Sequence, residues 1–332
     1  MSTTVTLLPG DGVSRELVEP VLAVLEAVGA DVDFEPEEAG REAFRRSGES
    51  VPQATLESIR RNKVALSGKL MARPGDPYPS PRWDIRRQLD LFAAVLPIRN
   101  LRGLPARHQG VDIVVIRQAT EDVYAGMEDR IRDGLVASLK VVTAAASERI
   151  TRFAFEWARR NGRREVTLVH KANIMKVTDG LFIETAEGVA KGYADVRLRT
   201  LIVDNACMQL LLRPAQFDVL LMGNLYGSII SDLGVGIVGG ISASFGVSLN
   251  DDLALFEALH GDAPHLAGTG KANPLPLLLP ACYMLEYLGQ PALADRVREA
   301  VSRTLEQGSS TPDLGGNATA GEMTKAIIGN LR

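Results

Sequence analysis

The chain alternates short apolar segments with amphipathic ones along most of its length. It opens with TTVTLLPG, a predicted strand that ends in the turn GDG. SRELVEPVLAVLEAVGA follows, and its apolar residues recur every three or four positions, as in a helix. Six further segments are predicted strands: DVDFEPEEAG, KVALSG, VDIVVIR, EVTLVHK, VRLRTLIVD and FDVLLMG. This alternation predicts an α/β fold with a doubly wound sheet and functional residues at the carboxyl ends of strands.

Two more segments have the helical spacing. They are VPQATLESIRRN and RITRFAFEWARRNG, and the second has Gly162 where a C-cap is expected. The segment KLMARPGDPYPSPRW is rich in proline and glycine and is predicted to be a loop.

Composition excludes several classes of protein. The 332 residues, 45% apolar and 23% charged, are typical of a globular chain with one large domain or two lobes. A net charge of −4 without a long basic run argues against nucleic acid as a partner. MSTTVTLLPGDG lacks the basic and apolar regions of a signal peptide, and three prolines interrupt NPLPLLLPACYMLEYLG, so no membrane partner is expected. Cys207 and Cys282 lie in apolar contexts typical of buried thiols, which favours a cytoplasmic protein.

The stretch NLYGSIISD follows a predicted strand, and its tail, in SIISDLGVGIVGG, is predicted to start a helix. Ser228 and Asp232 are four positions apart, so their side chains share one helix face. Two aspartates there would be typical of half a divalent-metal site, but one position is serine. The next residues include GVGIVG, which matches a dinucleotide-binding pattern. Because these glycines fall inside the predicted helix and not at its start, we interpret them as close-packing residues.

Chemically versatile residues follow several predicted strands. Arg117 and Tyr124 lie in VVIRQATEDVYAGMED, Lys171 and Asn173 in LVHKANIMK, and Asp204 in LIVDNACMQ. Each alone has a structural or solvated interpretation. Together with Asp232 they supply a guanidinium for a carboxylate, a phenol and an amine for proton transfer, and two carboxylates for a hard cation. That set suits oxidation of a hydroxy acid with metal polarisation of its oxygen.

At these same positions the sequence resembles the β-decarboxylating dehydrogenases, which include isocitrate, homoisocitrate, 3-isopropylmalate and tartrate dehydrogenases. The matching stretches are LLPGDGV, RRQLDLFAAVLP, RQATEDVYAGMED, VHKANIMKVTDGLF, VDNACMQLLLRPAQFDV, NLYGSIISDL and FEALHGDAPHLAGTGKANP. The resemblance implies an isopropylmalate-dehydrogenase-like two-lobed fold with a mixed sheet and no Rossmann nucleotide site. It implies a large lobe, 1–97 plus 250–332, with the cofactor-binding loop, and a small lobe, 98–249, with the dimer clasp. It also implies a homodimer whose active sites are shared between subunits.

The resemblance implies a role for each matching residue. Tyr124 would protonate the carbon from which CO₂ has left, and the partner's Lys171 would accept the hydroxyl proton. Asp232 and the partner's Asp204 would hold Mg²⁺ or Mn²⁺. The other implied substrate-binding residues are Arg86 and Arg117, which would bind carboxylates, Ser80 and Arg82, which would face the variable substituent, and Asn173.

The implied cofactor loop is HGDAPHLAG together with Asn273, which would wrap the adenosine. Its predicted binding residues are His260, Gly261, Ala263, Pro264, His265, Leu266 and Asn273. Leu266 favours NAD, and the loop lacks the lysine–tyrosine pair of one NADP group. NADP stays an alternative because His265 replaces an aspartate that is usual in NAD enzymes.

Several positions depart from the family pattern. Ser228 replaces a metal-binding aspartate, Leu96 replaces one of three carboxylate-binding arginines, and Arg82 replaces an asparagine of the substituent pocket. These three changes raise the net charge of the predicted pocket by about one. Met71 and Ala72 lie near where a threonine would approach the nicotinamide. Neither isocitrate nor 3-isopropylmalate is an obvious substrate.

Two hypotheses follow. The first is an NAD-dependent enzyme that oxidises, and by its resemblance decarboxylates, a malate-type 2-hydroxy acid carrying an extra anion, a carboxylate or a phosphonate. Its substrate would belong to a specialised pathway. The second is a non-catalytic regulatory or scaffold subunit of a heteromeric isocitrate-type dehydrogenase. The presence of both Tyr124 and Lys171 favours the first, since a retired site needs neither.

Overall fold

The computed structural model describes residues 2–73, 75–240 and 244–331. Its strands are β1 (Thr3–Leu8), β2 (Val32–Pro36), β3 (Val64–Ser67), β4 (Ala93–Arg99), β5 (Asp112–Gln118), β6 (Glu128–Arg132), β7 (Leu135–Ser138), β8 (Glu165–His170), β9 (Arg197–Ile202), β10 (Val219–Met222), β11 (Phe245–Leu249) and β12 (Ala254–Ala258). Its helices are α1 (Arg15–Val28), α2 (Arg41–Ser47), α3 (Gln53–Asn62), α4 (Pro81–Gln88), α5 (Ala144–Arg160), α6 (Thr178–Ala190), α7 (Val203–Leu212), α8 (Asn224–Ile237), α9 (Leu275–Tyr287), α10 (Pro291–Glu306) and α11 (Ala320–Gly329).

The chain divides into two compact units. Unit 1 contains 1–89, 100–107 and 238–332, and unit 2 contains 90–99 and 108–237. The predicted lobes, 1–97 plus 250–332 and 98–249, stay a prediction. The two units divide the chain at other residues, because β4 pairs with β5 and therefore belongs to unit 2.

Unit 1 contains five strands in the order β2-β1-β3-β12-β11. All neighbours are parallel except the antiparallel pair β11 and β12. Helices α1, α9, α10 and α11 cover these strands with apolar side chains, and α9 is buried along most of its length. β1, β3 and β12 therefore pack against one apolar core, which fixes the positions of the residues at their ends.

Unit 2 contains the order β4-β5-β10-β8-β9, in which only β4 and β5 are antiparallel. β5, β8 and β10 are buried along most of their length, as parallel strands with covered faces are. β6 and β7 form a separate two-stranded ribbon whose residues are almost all exposed. The α/β prediction and the mostly parallel pairing are confirmed.

Element boundaries differ from the prediction in three places. The last residues of the predicted loop KLMARPGDPYPSPRW begin α4, because Pro81 occupies the first turn, where its missing N–H costs no hydrogen bond. Pro74 of that segment lies outside the described residues. Helix α5 begins at Ala144, earlier than its periodicity indicated, because the Thr143 side chain accepts a hydrogen bond from the Ala146 amide. Asp204, predicted at the end of a strand, lies in the first turn of α7.

The glycines of GVGIVG do not bind a dinucleotide as a Rossmann loop would. Gly234 and Gly236 lie inside α8, and Gly239 lies beyond its end. A Cβ atom on Gly234 would come within 2.2 Å of the Ile98 side chain, whereas one on Gly236 would meet nothing within 4 Å. The close-packing interpretation is confirmed at Gly234.

Two further observations concern the chain as a whole. Among the described residues, no helix is both long and apolar enough to cross a membrane. Cys207 and Cys282 are free thiols, and burial raises the pKa of Cys282 to about 12.

Candidate active site

In unit 2 the structure brings Arg117 and Tyr124 together. Arg117 is at the carboxyl end of β5, and Tyr124 lies in a short turn of 3-10 helix, Val123–Ala125. The Arg117 guanidinium carbon lies 5.0 Å from the centre of the Tyr124 ring, a cation–π distance. Tyr124 is partly exposed, so its phenol is accessible while its ring is held.

The position of Arg117 is fixed by helix α8. Its Nε donates to Asn224 Oδ1 at 2.6 Å, and Asn224 Nδ2 donates to the Glu121 carbonyl. A Cβ atom on Gly227 would lie 2.6 Å from the Arg117 side chain, so glycine is needed for this approach. Asp122 is held with a φ of 75°, and its carboxylate accepts from the Val123 and Leu225 amides. Buried polar contacts therefore fix the segment that carries Tyr124.

Lys171 and Asp204 form the second functional pair of unit 2. Lys171 follows β8, and its Nζ lies 2.6 Å from Asp204 Oδ1. This hydrogen bond lowers the pKa of Asp204, which is on the surface. The Lys171 amide donates to buried Asp179 at 2.6 Å. Asn173, two residues further on, is exposed.

Ser228 and Asp232 both lie on α8, as predicted. Ser228 is partly buried and Asp232 is exposed. Within the described part of the chain, no group of three or more His, Cys, Asp or Glu side chains could hold a metal ion. The donors that are present, the Asp204 and Asp232 carboxylates and the Ser228 hydroxyl, are all oxygens, the ligand type that Mg²⁺ and Mn²⁺ prefer. These residues fit a hard divalent cation in chemistry, with two protein carboxylates.

In unit 1, Arg86 belongs to a buried ionic network. It donates through Nε to Ser248 Oγ at 2.8 Å and through Nη2 to Glu257 Oε1 at 2.7 Å. The Nε atom of Arg82 lies 3.6 Å from the other oxygen of Glu257. Glu257 is only 2% exposed. Two guanidinium groups thus share one buried carboxylate.

The charges around Glu257 decide its ionisation. Burial alone would raise its pKa, but Arg86, Arg82 and the Ser248 hydroxyl together outweigh burial, and the pKa is lowered. Glu257 is therefore a carboxylate at neutral pH. Ser80 precedes α4 and is exposed, within the segment predicted to face the substituent.

The predicted cofactor loop is hydrogen-bonded to Ser14, in the 3-10 turn Gly12–Ser14 that follows β1. His260 Nδ1 lies 2.7 Å from the Gly261 carbonyl, which can only accept, so Nδ1 carries the proton. Its Nε2 then accepts from the Ser14 hydroxyl at 2.8 Å. Burial lowers the pKa of His260, which keeps this ring neutral. Asp262 forms ion pairs with Arg41 and Arg73.

The remaining loop positions differ in exposure. Pro264 and His265 are exposed, Ala263 and Leu266 are partly buried, and Gly261 is exposed. Asn273 is buried; it donates to Asp313 at 2.9 Å and accepts from the Leu275 amide at the start of α9. The Asn273 side chain therefore has a structural function in addition to its predicted one.

The structure reveals functional candidates that sequence reasoning missed. Glu257 lies in the buried strand ALFEA, where a lone charge requires a buried partner, and that signal was available in the sequence. Asp179, Lys140 and Asp122 gave no comparable signal. The Lys140–Asp179 and Asp122–Leu225 contacts join positions 39 and 103 residues apart in the chain. Leu96, at an expected arginine position, is buried in β4.

Comparison with known proteins gives a consistent result. The family model described as isocitrate/isopropylmalate dehydrogenase matches residues 4–327. The chain is 45% identical to isocitrate dehydrogenase [NAD] regulatory subunit 2 of Arabidopsis thaliana, covering 98% of this chain and 89% of that one. It is 41% identical to isocitrate dehydrogenase [NAD] catalytic subunit 5 of the same plant, covering 99% and 88%. The crystal structure of isocitrate dehydrogenase from Methylococcus capsulatus matches with a TM-score of 0.95 at 41% identity, over 100% of both chains.

The fold and the strand-end side chains define the class of NAD-dependent decarboxylating dehydrogenases that act on hydroxy acids. Members of this class use Mg²⁺ or Mn²⁺. The chain belongs to the isocitrate/isopropylmalate dehydrogenase family.

Proposed function

We propose that this chain oxidises and decarboxylates a malate-type 2-hydroxy acid with an anionic substituent, a carboxylate or a phosphonate. The main support for the proposal is that both proton-transfer groups, Tyr124 and Lys171, contact charged neighbours that fix their positions. Tyr124 is held over Arg117, and Lys171 is paired with Asp204. A chain that only binds ligands has no need for both.

The residues of the chain divide the chemistry between them. Arg86 and Arg117 would bind carboxylates of the substrate by charge-assisted hydrogen bonds. The partner's Lys171 would accept the hydroxyl proton as the carbon that bears the hydroxyl gives up a hydride, for which NAD would be the acceptor. The bond to the β-carboxylate would then break with release of CO₂, its electrons would remain on the substrate as an enolate, and Tyr124 would protonate the enolate carbon. Asp232 and the partner's Asp204 would hold Mg²⁺ or Mn²⁺, which would supply positive charge to polarise the keto oxygen.

The charge of the Arg82 cluster supports an anionic substituent. Arg82 and Arg86 both contact the buried Glu257 carboxylate, so two guanidinium groups are held close together beside it. Arg82 has the longer of the two contacts with Glu257. A guanidinium at this position suits an added anion on the substrate.

Exposed apolar side chains of unit 2 support the homodimer. They lie on the β6–β7 ribbon, after β8, and on α7 and α8: Met127, Ile131, Leu135, Val136, Ile174, Val177, Met208, Leu211, Leu212 and Ile229. Apolar surface of this extent is typical of an interaction site. Lys171 and Asp204 lie beside this surface as one pair, so a single subunit would supply both to its partner's active site.

A regulatory subunit is the second candidate, and the 45% identity to a regulatory subunit favours it. Purified chain, with no second subunit, should be assayed for NAD reduction on malate-type acids that differ in their substituent. NAD reduction by the chain alone supports the proposal that it is an active dehydrogenase. Reduction only after addition of a catalytic subunit supports the regulatory alternative.

A further inference from the structure

The backbone of Lys171 is anchored to a buried ion pair. Its amide donates to Asp179 Oδ2 at 2.6 Å, and the other oxygen of Asp179 binds the Lys140 ammonium. Asp179, on α6, is 3% exposed, and the Lys140 side chain is also largely buried. One carboxylate therefore links a buried lysine to the residue whose side chain is the predicted base.

The pair lines a small cavity of about 20 Å³ within unit 2, whose wall is formed by both apolar and polar side chains. The Lys140 ammonium lies 4.7 Å from the centre of the Tyr226 ring. Burial, reinforced by the Asp179 and Asp122 carboxylates, raises the pKa of Tyr226 to about 12, so this phenol stays neutral. Lys140 is thus the cation that faces Asp179, and Asp122 and Glu121 also line the cavity.

Residues 173–177 are all exposed, so their side chains do not bury the segment after β8. The Lys171 carbonyl accepts from the Ile174 and Met175 amides, which closes a local turn. The bond from the Lys171 amide to Asp179 then ties this turn to the buried face of α6. A hydrogen bond to an ionised carboxylate is stronger than one to a neutral acceptor. Buried ion pairs contribute little net stability, because desolvation offsets their attraction. The Lys140–Asp179 pair is therefore better explained by a role in positioning the Lys171 backbone than by a contribution to the stability of the fold.

We propose that Lys140 and Asp179 are positioning residues for the base Lys171: the pair fixes the Lys171 backbone through its amide. This inference rests on the proposed function, in which Lys171 accepts a proton. Neither Lys140 nor Asp179 is required to touch the substrate.

The test compares the Lys140→Met variant with the double variant Lys140→Met/Asp179→Asn. Lys140→Met leaves the Asp179 carboxylate buried without its cation, so the anchor is disturbed. We expect kcat to fall about 100-fold, the effect of a displacement near 1 Å, with KM for NAD unchanged. The double variant is neutral and keeps an amide oxygen for the Lys171 N–H, so it should recover most of the lost kcat. Arg152→Met, which removes half of an exposed pair on α5, is the control and should leave kcat unchanged.

Amide hydrogen exchange of the segment around Lys171 provides a readout that needs no activity. The Lys171 amide should exchange faster in Lys140→Met and return to the wild-type rate in the double variant. If the wild-type protein oxidises no hydroxy acid, the proposed function fails, and the exchange rates still decide the anchoring. The proposal would be overturned if the Lys171 amide exchanged at the wild-type rate in Lys140→Met. It would also be overturned if the double variant had the same low kcat and the same loss of thermal stability as Lys140→Met.

Discussion

Lys171 Nζ lies 2.6 Å from Asp204 Oδ1, so the predicted base and a predicted metal ligand form one unit on the same chain. The two residues come from different elements, the loop after β8 and the first turn of α7. A metal ion that binds the Asp204 carboxylate would weaken the ion pair between Asp204 and Lys171. Metal binding and the availability of the base are therefore expected to be coupled.

The acid and the base give the first prediction. Lys171→Met and Tyr124→Phe should each lower kcat by about 10²–10⁴-fold, the contribution of a positioned acid or base. The phenylalanine keeps the ring over Arg117, so NAD binding should not change. Lys191→Met removes an exposed lysine at the end of α6 and serves as the control. Steady-state kinetics that leave both variants at wild-type turnover would remove these residues from the chemistry.

Arg82 gives the second prediction. Arg82→Asn should raise KM most for acids that carry the additional anion, because the cluster then loses one of its two guanidinium groups. Arg87→Asn, on the exposed side of the same helix, is the matched control. KM should be measured for pairs of acids with and without the anion. Equal increases for both members of a pair would mean that Arg82 only supports Glu257.

The metal site gives the third prediction. Ser228→Asp should tighten Mn²⁺ in the substrate-free enzyme, because it adds a carboxylate one helical turn from Asp232. Turnover need not rise, since the new charge also repels an anionic substrate. Calorimetry with Mn²⁺ alone measures the effect, and Ser228→Ala is the control. If Ser228→Asp binds Mn²⁺ no more tightly than wild type, Ser228 does not face the cation.

Glu257 gives a prediction about pH. Its pKa in the folded protein lies below the ordinary glutamate value of 4.5, so the ionised form stabilises the fold at neutral pH. That contribution is fully present above about pH 5 and is lost as the pH falls toward the folded-state pKa. The difference in unfolding free energy between wild type and Glu257→Gln should therefore be constant near neutrality and shrink in acid. If the difference in unfolding free energy grew below pH 5, Glu257 would not be stabilised as a carboxylate by Arg86 and Arg82.

Helix α8 gives a prediction about packing. Gly234→Ala should destabilise the protein by about 1–3 kcal/mol, since its Cβ would overlap the Ile98 side chain. Gly236→Ala has open space and should stabilise the helix by up to about 1 kcal/mol. Urea unfolding of both variants measures the contrast. Equal effects would show that the approach of Ile98 to Gly234 is not tight in solution.

Much of the fold could be predicted from local patterns. β1, β5, β8 and β10 are short buried strands, and their apolar runs identify them in the sequence. Helix α2 was not predicted, because its seven residues are too short for a clear period. The start of α4 was missed because a proline-rich segment resembles a loop until its first turn is seen.

The site was less predictable than the fold. The strand-end residues could be named, but the partners that fix them could not. Arg86 with Glu257, and Lys140 with Asp179, join positions 171 and 39 residues apart in the chain, and no local period encodes such pairs. The double function of Asn273 is hidden for the same reason, since its partner Asp313 is 40 residues away.

Oxidation and decarboxylation of a hydroxy acid by this chain alone, with the help of a divalent cation, can be tested on the purified protein. The measurement is the amount of CO₂ released per NADH formed, with Mn²⁺ and after treatment with EDTA. We expect one CO₂ for each NADH with Mn²⁺ and loss of both products in EDTA. NADH formation that continues undiminished in EDTA, or that proceeds without CO₂, would contradict this expectation.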